Sequence, residues 1–183
     1  MISQTNNNFF ETEYLRAVKT PSDINEHLPI LYDLAVRCDS IVEFGVRTGV
    51  SSRAFLLANV NLLSVDIEKN NDVNALFNKA IKANYLIADT REITIEETDM
   101  LFIDSLHTYA QLKKELGLHG NKAKKYLVFH DTFTYGLKGE ISGTVGLLPA
   151  IIEFIIENPC WFFKIYKINN NGLIVLERKP SLK

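Results

Sequence analysis

Four apolar runs in this 183-residue chain end in an aspartate: Leu62 to Asp66, Tyr85 to Asp89, Leu101 to Asp104 and Tyr126 to Asp131. A fifth run, Ile41-Val42-Glu43-Phe44, places its acid one residue earlier and continues into Gly45-Val46-Arg47-Thr48-Gly49-Val50-Ser51-Ser52. Carboxylates so placed can accept hydrogen bonds from a diol or attract a cation. His107, three residues after Asp104, and His130, beside Asp131, have an ordinary pKa suited to general-base work. His107 also reads as a structural histidine capping the helix that follows it. Gly45 and Gly49 allow a sharp turn and a close approach of ligand to backbone, and a helix starting near Ser51 would point unpaired amides at that loop. The ligand classes open to such a loop are a dinucleotide, a phosphate and a sulfonium compound, or the turn is purely structural.

The elements that must position these residues follow from periodicity. Apolar runs at 41–44, 62–65, 85–88, 100–103 and 126–129 alternate with helical patterns at 51–59, 72–82 and 108–118. Such alternation implies a parallel sheet with helices on both faces, and ligands of open parallel sheets bind beyond the carboxyl ends of the strands. The four aspartates therefore share one rim. Upstream, Phe9, Phe10, Tyr14, Leu15 and Val18 recur at helical spacing until Thr20-Pro21-Ser22. A second helix is expected over about 23–37, with Asp23 and Glu26 as a capping pair, unless Pro29 delays its start. A further helix spans about 145–157. Asn169-Asn170-Asn171-Gly172 between β-rich runs then predicts a closing hairpin. The glycine-rich stretch from Tyr135 to Gly146 is expected to help close over a substrate.

Composition narrows the function classes. A formal charge of -2 with 46% hydrophobic residues describes an ordinary globular chain without a broad nucleic-acid surface. Lys122, Lys124 and Lys125 read as a solvated edge in a connecting loop. Cys38 and Cys160 form no CxxC pattern, so neither zinc nor a disulfide framework is indicated. The polar, acidic N-terminus lacks a signal region and no apolar run reaches membrane length. A single cytoplasmic domain is expected, with an N-terminal arm over 1–21 and the core over 22–183, bound to no nucleic acid or membrane; the oligomeric state stays open.

The loop spacing is not the dinucleotide G-x-G-x-x-G, and Glu43 before the loop disfavours a pyrophosphate. Asp66 is placed to accept hydrogen bonds from a ribose diol. Glu43-Phe-Gly45-x-x-Thr48-Gly49-x-Ser51 resembles the first motif of class I S-adenosylmethionine-dependent methyltransferases, and LLSVD66 their acidic second motif. The tract from DMLFID104SLH107 to VFHD131T is similar to the small-molecule O-methyltransferase and cephalosporin-hydroxylase-like branch. The resemblance covers about residues 30–178. It implies a Rossmann-like sandwich: a mostly parallel seven-stranded sheet with an antiparallel C-terminal strand and helices on both faces.

The resemblance also implies roles. Glu43, Gly45, Thr48, Gly49 and Ser51 would face the methionine part of S-adenosylmethionine, Asp66 its ribose, and Asp89 with Thr90 its adenine. Asp104 would lie where methyl meets acceptor, an oxygen of a small molecule or sugar. In-line transfer of an activated methyl needs mainly positioning, with His107 ahead of His130 as base and Asp131 alongside. Catechol-type relatives clamp a divalent metal with two aspartates and an asparagine. Here Asp104 and Asp131 match but Thr132 replaces the asparagine, a poorer ligand, so the metal-free version is favoured. A nicotinamide-dependent oxidoreductase and a non-catalytic assembly module are the competing readings.

Overall fold

The computed structural model describes residues 2–179, with side chains from residue 8 onward. Helix α1 (Ile2–Lys19) precedes a 3-10 turn (Asn25–His27) and α2 (Leu28–Ala35). Then come β1 (Ser40–Phe44), α3 (Ser52–Ala58), β2 (Asn61–Asp66), α4 (Asn71–Phe77), β3 (Ala83–Ile87) and β4 (Thr98–Ile103). The chain continues through α5 (Tyr109–His119), β5 (Ala123–His130), α6 (Leu147–Glu157), β6 (Trp161–Lys167) and β7 (Leu173–Arg178). The strands form one seven-stranded sheet in the order β3-β2-β1-β4-β5-β7-β6. The first five are parallel, and β7 runs antiparallel to both β5 and β6.

Strand β4 shows why the sheet is the centre of the molecule. All six of its residues are buried, as expected of a strand covered by helices on both faces. Met100 and Phe102 face the cluster built with α1 to α4, where Phe55 meets Phe102 edge-on at 5.6 Å. Leu101 and Ile103 face the other cluster, with Leu112 of α5 and Phe154 of α6. Chain order reverses between the neighbours β1 and β4, so the helices that follow them leave on opposite faces. Phe44 is in register with both Val65 and Ile103, which sets the ends of β1, β2 and β4 level around the crevice left by that reversal.

The seven strands and the antiparallel hairpin stand where the sequence places them. Asn170, Asn171 and Gly172 all take positive φ in the β6–β7 turn, a conformation these residue types tolerate best. The early helices need correction. The second helix begins only at Leu28, with Pro29 in its first turn, where its missing N–H costs nothing. The Asp23–Glu26 capping pair does not form: Ser22 Oγ accepts from the amides of Ile24 and Asn25 instead. Asp23 pairs with Arg47 and Glu26 accepts from the Asn169 side chain. Helix α4 stops at Phe77, short of residue 82. The lysine trio lies not in a loop but at the start of β5 and the turn before it. Lys124 and Lys125 pair with Glu97 and Asp99, and Lys122 donates to the Ile95 carbonyl.

Because Phe102 is fully buried between these layers, Phe102→Ala should destabilise the domain by about 3–5 kcal/mol in urea unfolding. A loss under about 1 kcal/mol would mean the site collapses around the cavity and the layer is not close-packed.

Candidate active site

The loop after β1 is held from below. Glu43 is completely buried, and its carboxylate accepts hydrogen bonds from Ser51, Ser52 and Ser64 at 2.5–2.8 Å. Ser64 is its register partner on β2. Burial pushes the Glu43 carboxyl up to about 7 despite the three hydroxyls. Glu43 therefore sits beneath the loop, and Ser51 turns its hydroxyl toward it. The charge argument against a pyrophosphate weakens accordingly, and the glycine spacing remains. Gly45 has φ +82°, and a Cβ there would run into the Asp104 carbonyl oxygen, so only glycine lets the loop cross the end of β4. Asp66 Oδ2 accepts from the amides of Val46 and Arg47 at 2.7 and 2.8 Å, and Oδ1 from Glu68. It fixes the loop while its carboxylate borders the open cleft.

That cleft, about 380 Å³, runs over the ends of β1 to β4 and is bordered by Gly45, Asp66, Asp89, Thr90, Asp104 and Gln111. Asp89 is gripped by the Arg91 guanidinium, which holds its carboxyl down at about 2. Thr90 is buried and donates its hydroxyl to Glu115. A second hollow of about 150 Å³ shares Gly45, Arg47, Asp104 and Glu140 with the first and extends to Thr48, His107 and Asp131. The two hollows form one crevice with Asp104 at the junction.

At that junction five ionisable side chains meet. His107 Nε2 donates to Asp104 Oδ1 at 3.2 Å and lies 3.0 Å from Asp131 Oδ2, while its Nδ1 faces Glu140 Oε2 at 2.9 Å. His130 Nδ1 lies 3.1 Å from Asp104 Oδ1 and 3.5 Å from Asp131 Oδ2, and its Nε2 faces the Asn170 carbonyl at 3.1 Å. Carboxylates and carbonyls only accept, so each ring must donate from both nitrogens, which only an imidazolium does. Burial opposes the charge, but the bonds and charges of Asp104 and Asp131 outweigh it and raise both histidines to about 10. The same contacts hold Asp104 and Asp131 below the usual carboxylate range. Asp131 further adopts φ 58°, a costly conformation for a non-glycine residue and a common one at functional sites.

His130 is buried at 1% exposure with its far nitrogen on a backbone carbonyl, and its near nitrogen braces the two aspartates. His107 does not cap α5, since Thr108 does so through its hydroxyl. Its ring stacks on Tyr135 at 5.0 Å. The 137–146 loop is built as a small closed turn, with Lys138 bridging Val145 and the Glu140 amide donating to the His107 carbonyl. It brings Glu140 to the cluster. Glu140, Ser105, Gln111, Glu115 and Arg47 were not singled out by sequence reading. Glu115 and Gln111 carry a signal only in hindsight: they are polar residues on a helix face that the strand order buries.

Asp104, His107 and Asp131 offer ligand atoms within 4.8 Å of one another. Among the described residues, Asp131 Oδ1 and Thr132 Oγ1 are buried without a hydrogen-bond partner. These donors fit a divalent cation on condition that His107 gives up its Nε2 proton, because binding releases that proton.

The ion cluster makes stability depend on pH. The raised histidines contribute fully below 6.5 and lose their contribution as pH climbs toward about 10. Seen from the carboxylates, the same pairs are lost as pH falls below 3.8. Ionising Glu43 adds a cost between 4.5 and about 7. The thermal midpoint should therefore be highest at about pH 4–4.5 and fall steadily to pH 9, and a profile flat from pH 7 to 9 would show the histidines to be neutral.

No family model and no curated protein sequence matches the chain. Solved structures do. A Staphylococcus aureus protein described as a candidate caffeoyl-CoA O-methyltransferase superposes with TM-score 0.62 at 15% identity, covering 84% of this chain and 83% of its own. The N-methyltransferase NodS of Bradyrhizobium japonicum, bound to S-adenosyl-L-homocysteine, gives 0.66 at 13%, covering 96% and 99%. The 1,6-didemethyltoxoflavin-N1-methyltransferase of Burkholderia thailandensis, with bound 1,6-didemethyltoxoflavin and S-adenosylhomocysteine, gives 0.66 at 10%, covering 95% and 87%. The likeness is one of fold, and together with the strand order it shows that the chain has the Rossmann-like fold of the class I S-adenosylmethionine-dependent methyltransferases.

Proposed function

We propose that the protein transfers a methyl group from S-adenosylmethionine to a small-molecule acceptor, on an oxygen of that molecule or of a sugar. The observation that carries this reading is the continuous crevice in which bare backbone at Gly45, the Asp66 carboxylate and the Asp104 junction follow one another. The two relatives in fold whose structures hold S-adenosylhomocysteine are N-methyltransferases by their descriptions, and oxygen as acceptor is supported by the Staphylococcus aureus structure described as a candidate caffeoyl-CoA O-methyltransferase. S-adenosylmethionine supplies a methyl already activated by a positive sulfonium, which an acidic junction of Asp104, Asp131 and Glu140 attracts.

In this reading Gly45 admits the methionine portion against backbone and Asp66 accepts from the ribose hydroxyls with the lone pairs its loop amides leave free. Asp104 and Asp131 orient the acceptor, and the loop carrying Glu140 narrows the mouth. His107 takes the hydroxyl proton. It is an imidazolium at neutral pH, so its active form grows as pH rises toward about 10. A divalent cation is the second reading, favoured by the unpartnered Asp131 Oδ1 and Thr132 Oγ1. Asp104, His107 and Asp131 would hold it, and it would supply a lowered pKa at the acceptor hydroxyl.

Calorimetry should show binding of S-adenosylhomocysteine and none of NAD, and the reverse would move the chain to the oxidoreductases. Binding without methyl transfer to any acceptor would leave an assembly module. Asp66→Ala should weaken S-adenosylhomocysteine binding by about 1.5–3 kcal/mol, as for hydrogen bonds to a charged group. Unchanged affinity in a folded variant removes the ribose assignment.

The base is tested once an acceptor is found. In chelator, the wild-type rate should rise with pH between 7 and 9, and His107→Ala should lower it about 10²–10⁴-fold. Activity abolished by chelator, restored by magnesium and little changed by His107→Ala would establish the cation instead.

A further inference from the structure

Helix α5 carries three buried polar side chains one turn apart, Gln111, Glu115 and His119, and all three reach the loop after β3. His119 Nε2 donates to the Thr90 carbonyl at 2.8 Å. Thr90 donates its hydroxyl to Glu115 at 2.5 Å, and Ser105 donates to both Glu115 oxygens at 2.8 and 2.9 Å. Gln111 Nε2 donates to Glu115 Oε1 at 2.8 Å and to Thr90 Oγ1 at 3.2 Å. This network lies directly behind the wall formed by Thr90, Ser105 and Gln111 at the β3–β4 end of the larger cleft.

Donor counting fixes how Gln111 presents itself. A carboxylate only accepts, so Glu115 draws the amide nitrogen of Gln111 inward, and both of its N–H bonds are then used. The amide oxygen accepts nothing among the described residues, yet Gln111 borders the cleft. The other carboxylate at this end, Asp89, is occupied by Arg91 through Nε and a terminal nitrogen at 2.6–3.2 Å. Gln111 Oε1 is thus the acceptor left over on a residue that borders the place where a purine would lie.

We propose that Gln111, with its amide oriented by the positioning residue Glu115, makes this end of the cleft selective for a purine carrying an exocyclic amino group. The proposal rests on the reading of the cleft as an S-adenosylmethionine site. A 6-amino group donates to Gln111 Oε1, whereas a 6-keto group sets one acceptor against another. Sites built to bond a polar group reject the analogue that leaves them unpaired.

The test is calorimetric titration of the wild type, Gln111→Leu and Glu115→Gln with S-adenosylhomocysteine and with its deaminated analogue, S-inosylhomocysteine. The wild type should prefer the adenosyl compound by on the order of 10–100-fold, the scale of one unpaired buried polar group. Gln111→Leu should reduce that preference to within about threefold, chiefly by weakening the adenosyl compound. Glu115→Gln, whose new amide can donate to Gln111 Oε1 and turn it round, should shift the ratio toward the inosyl compound. Such a change in ratio is not what general loosening would produce, since loosening weakens both ligands alike. Should Glu115→Gln fail to fold by circular dichroism, Gln111→Leu decides. A wild type that binds both compounds equally, or variants that keep the wild-type ratio, overturns the proposal and leaves the cofactor reading standing. A wild type that binds neither overturns both.

Discussion

Two imidazoliums shared by two aspartates hold the rim of the sheet together. Asp104 closes β4, Asp131 closes β5, His107 leads into α5, and His130 reaches back from β5 to the β6–β7 turn through the Asn170 carbonyl. Asp104 and Asp131 brought this close would repel each other if left unpaired. The two cations remove that repulsion, and Glu140 adds a third carboxylate through the 137–146 loop. With three negative and two positive charges, the cluster retains a negative excess at the crevice junction. That excess would favour a cationic ligand, and the strained φ of Asp131 is tolerated because so many partners hold it.

The turn that receives His130 also anchors the chain's early segment. Asn170 accepts from the Glu26 amide and donates to the Ser22 carbonyl, while Asn169 donates to Glu26 and accepts from His27. Asp23 then bridges to Arg47 in the β1 loop. Residues 22–27 therefore form one wall of the smaller hollow, with Asp23 and Ile24 facing it. The hairpin far along the sheet and the loop that carries Gly45 are thus joined through this short segment at the edge of the smaller hollow.

Beneath the crevice, two buried glutamates do similar structural work on opposite faces of the sheet. Glu43 gathers Ser51, Ser52 and Ser64, and Glu115 gathers Thr90, Ser105 and Gln111. Each is surrounded by neutral donors rather than by a counter-ion, and burial raises both carboxyls. A lone buried carboxylate is costly, but one that accepts three or more hydrogen bonds can be kept. The gain is directional: each hub orients the hydroxyls and amide around it, and so shapes the loop above it.

By itself the sequence determined the strands, their terminal aspartates, the glycine loop and the closing hairpin. These are signals carried by neighbouring residues: apolar runs four to six residues long, a turn-forming Asn-Gly, a glycine where a loop must cross another strand. Local pattern also gave Pro29 its place in the first turn of α2. It misjudged Asp23 and Glu26, because their partners Arg47 and Asn169 lie 24 and 143 residues away. Only the tertiary structure decided that Glu43 is covered, since Ser64 meets it through strand register, and that Gln111 and Glu115 meet Thr90 behind the cleft. It also decided the protonation of His107 and His130. An imidazole's charge depends on how many acceptors converge on it, and here those acceptors come from β4, β5, a loop and a hairpin that only the folded sheet brings within 3.5 Å.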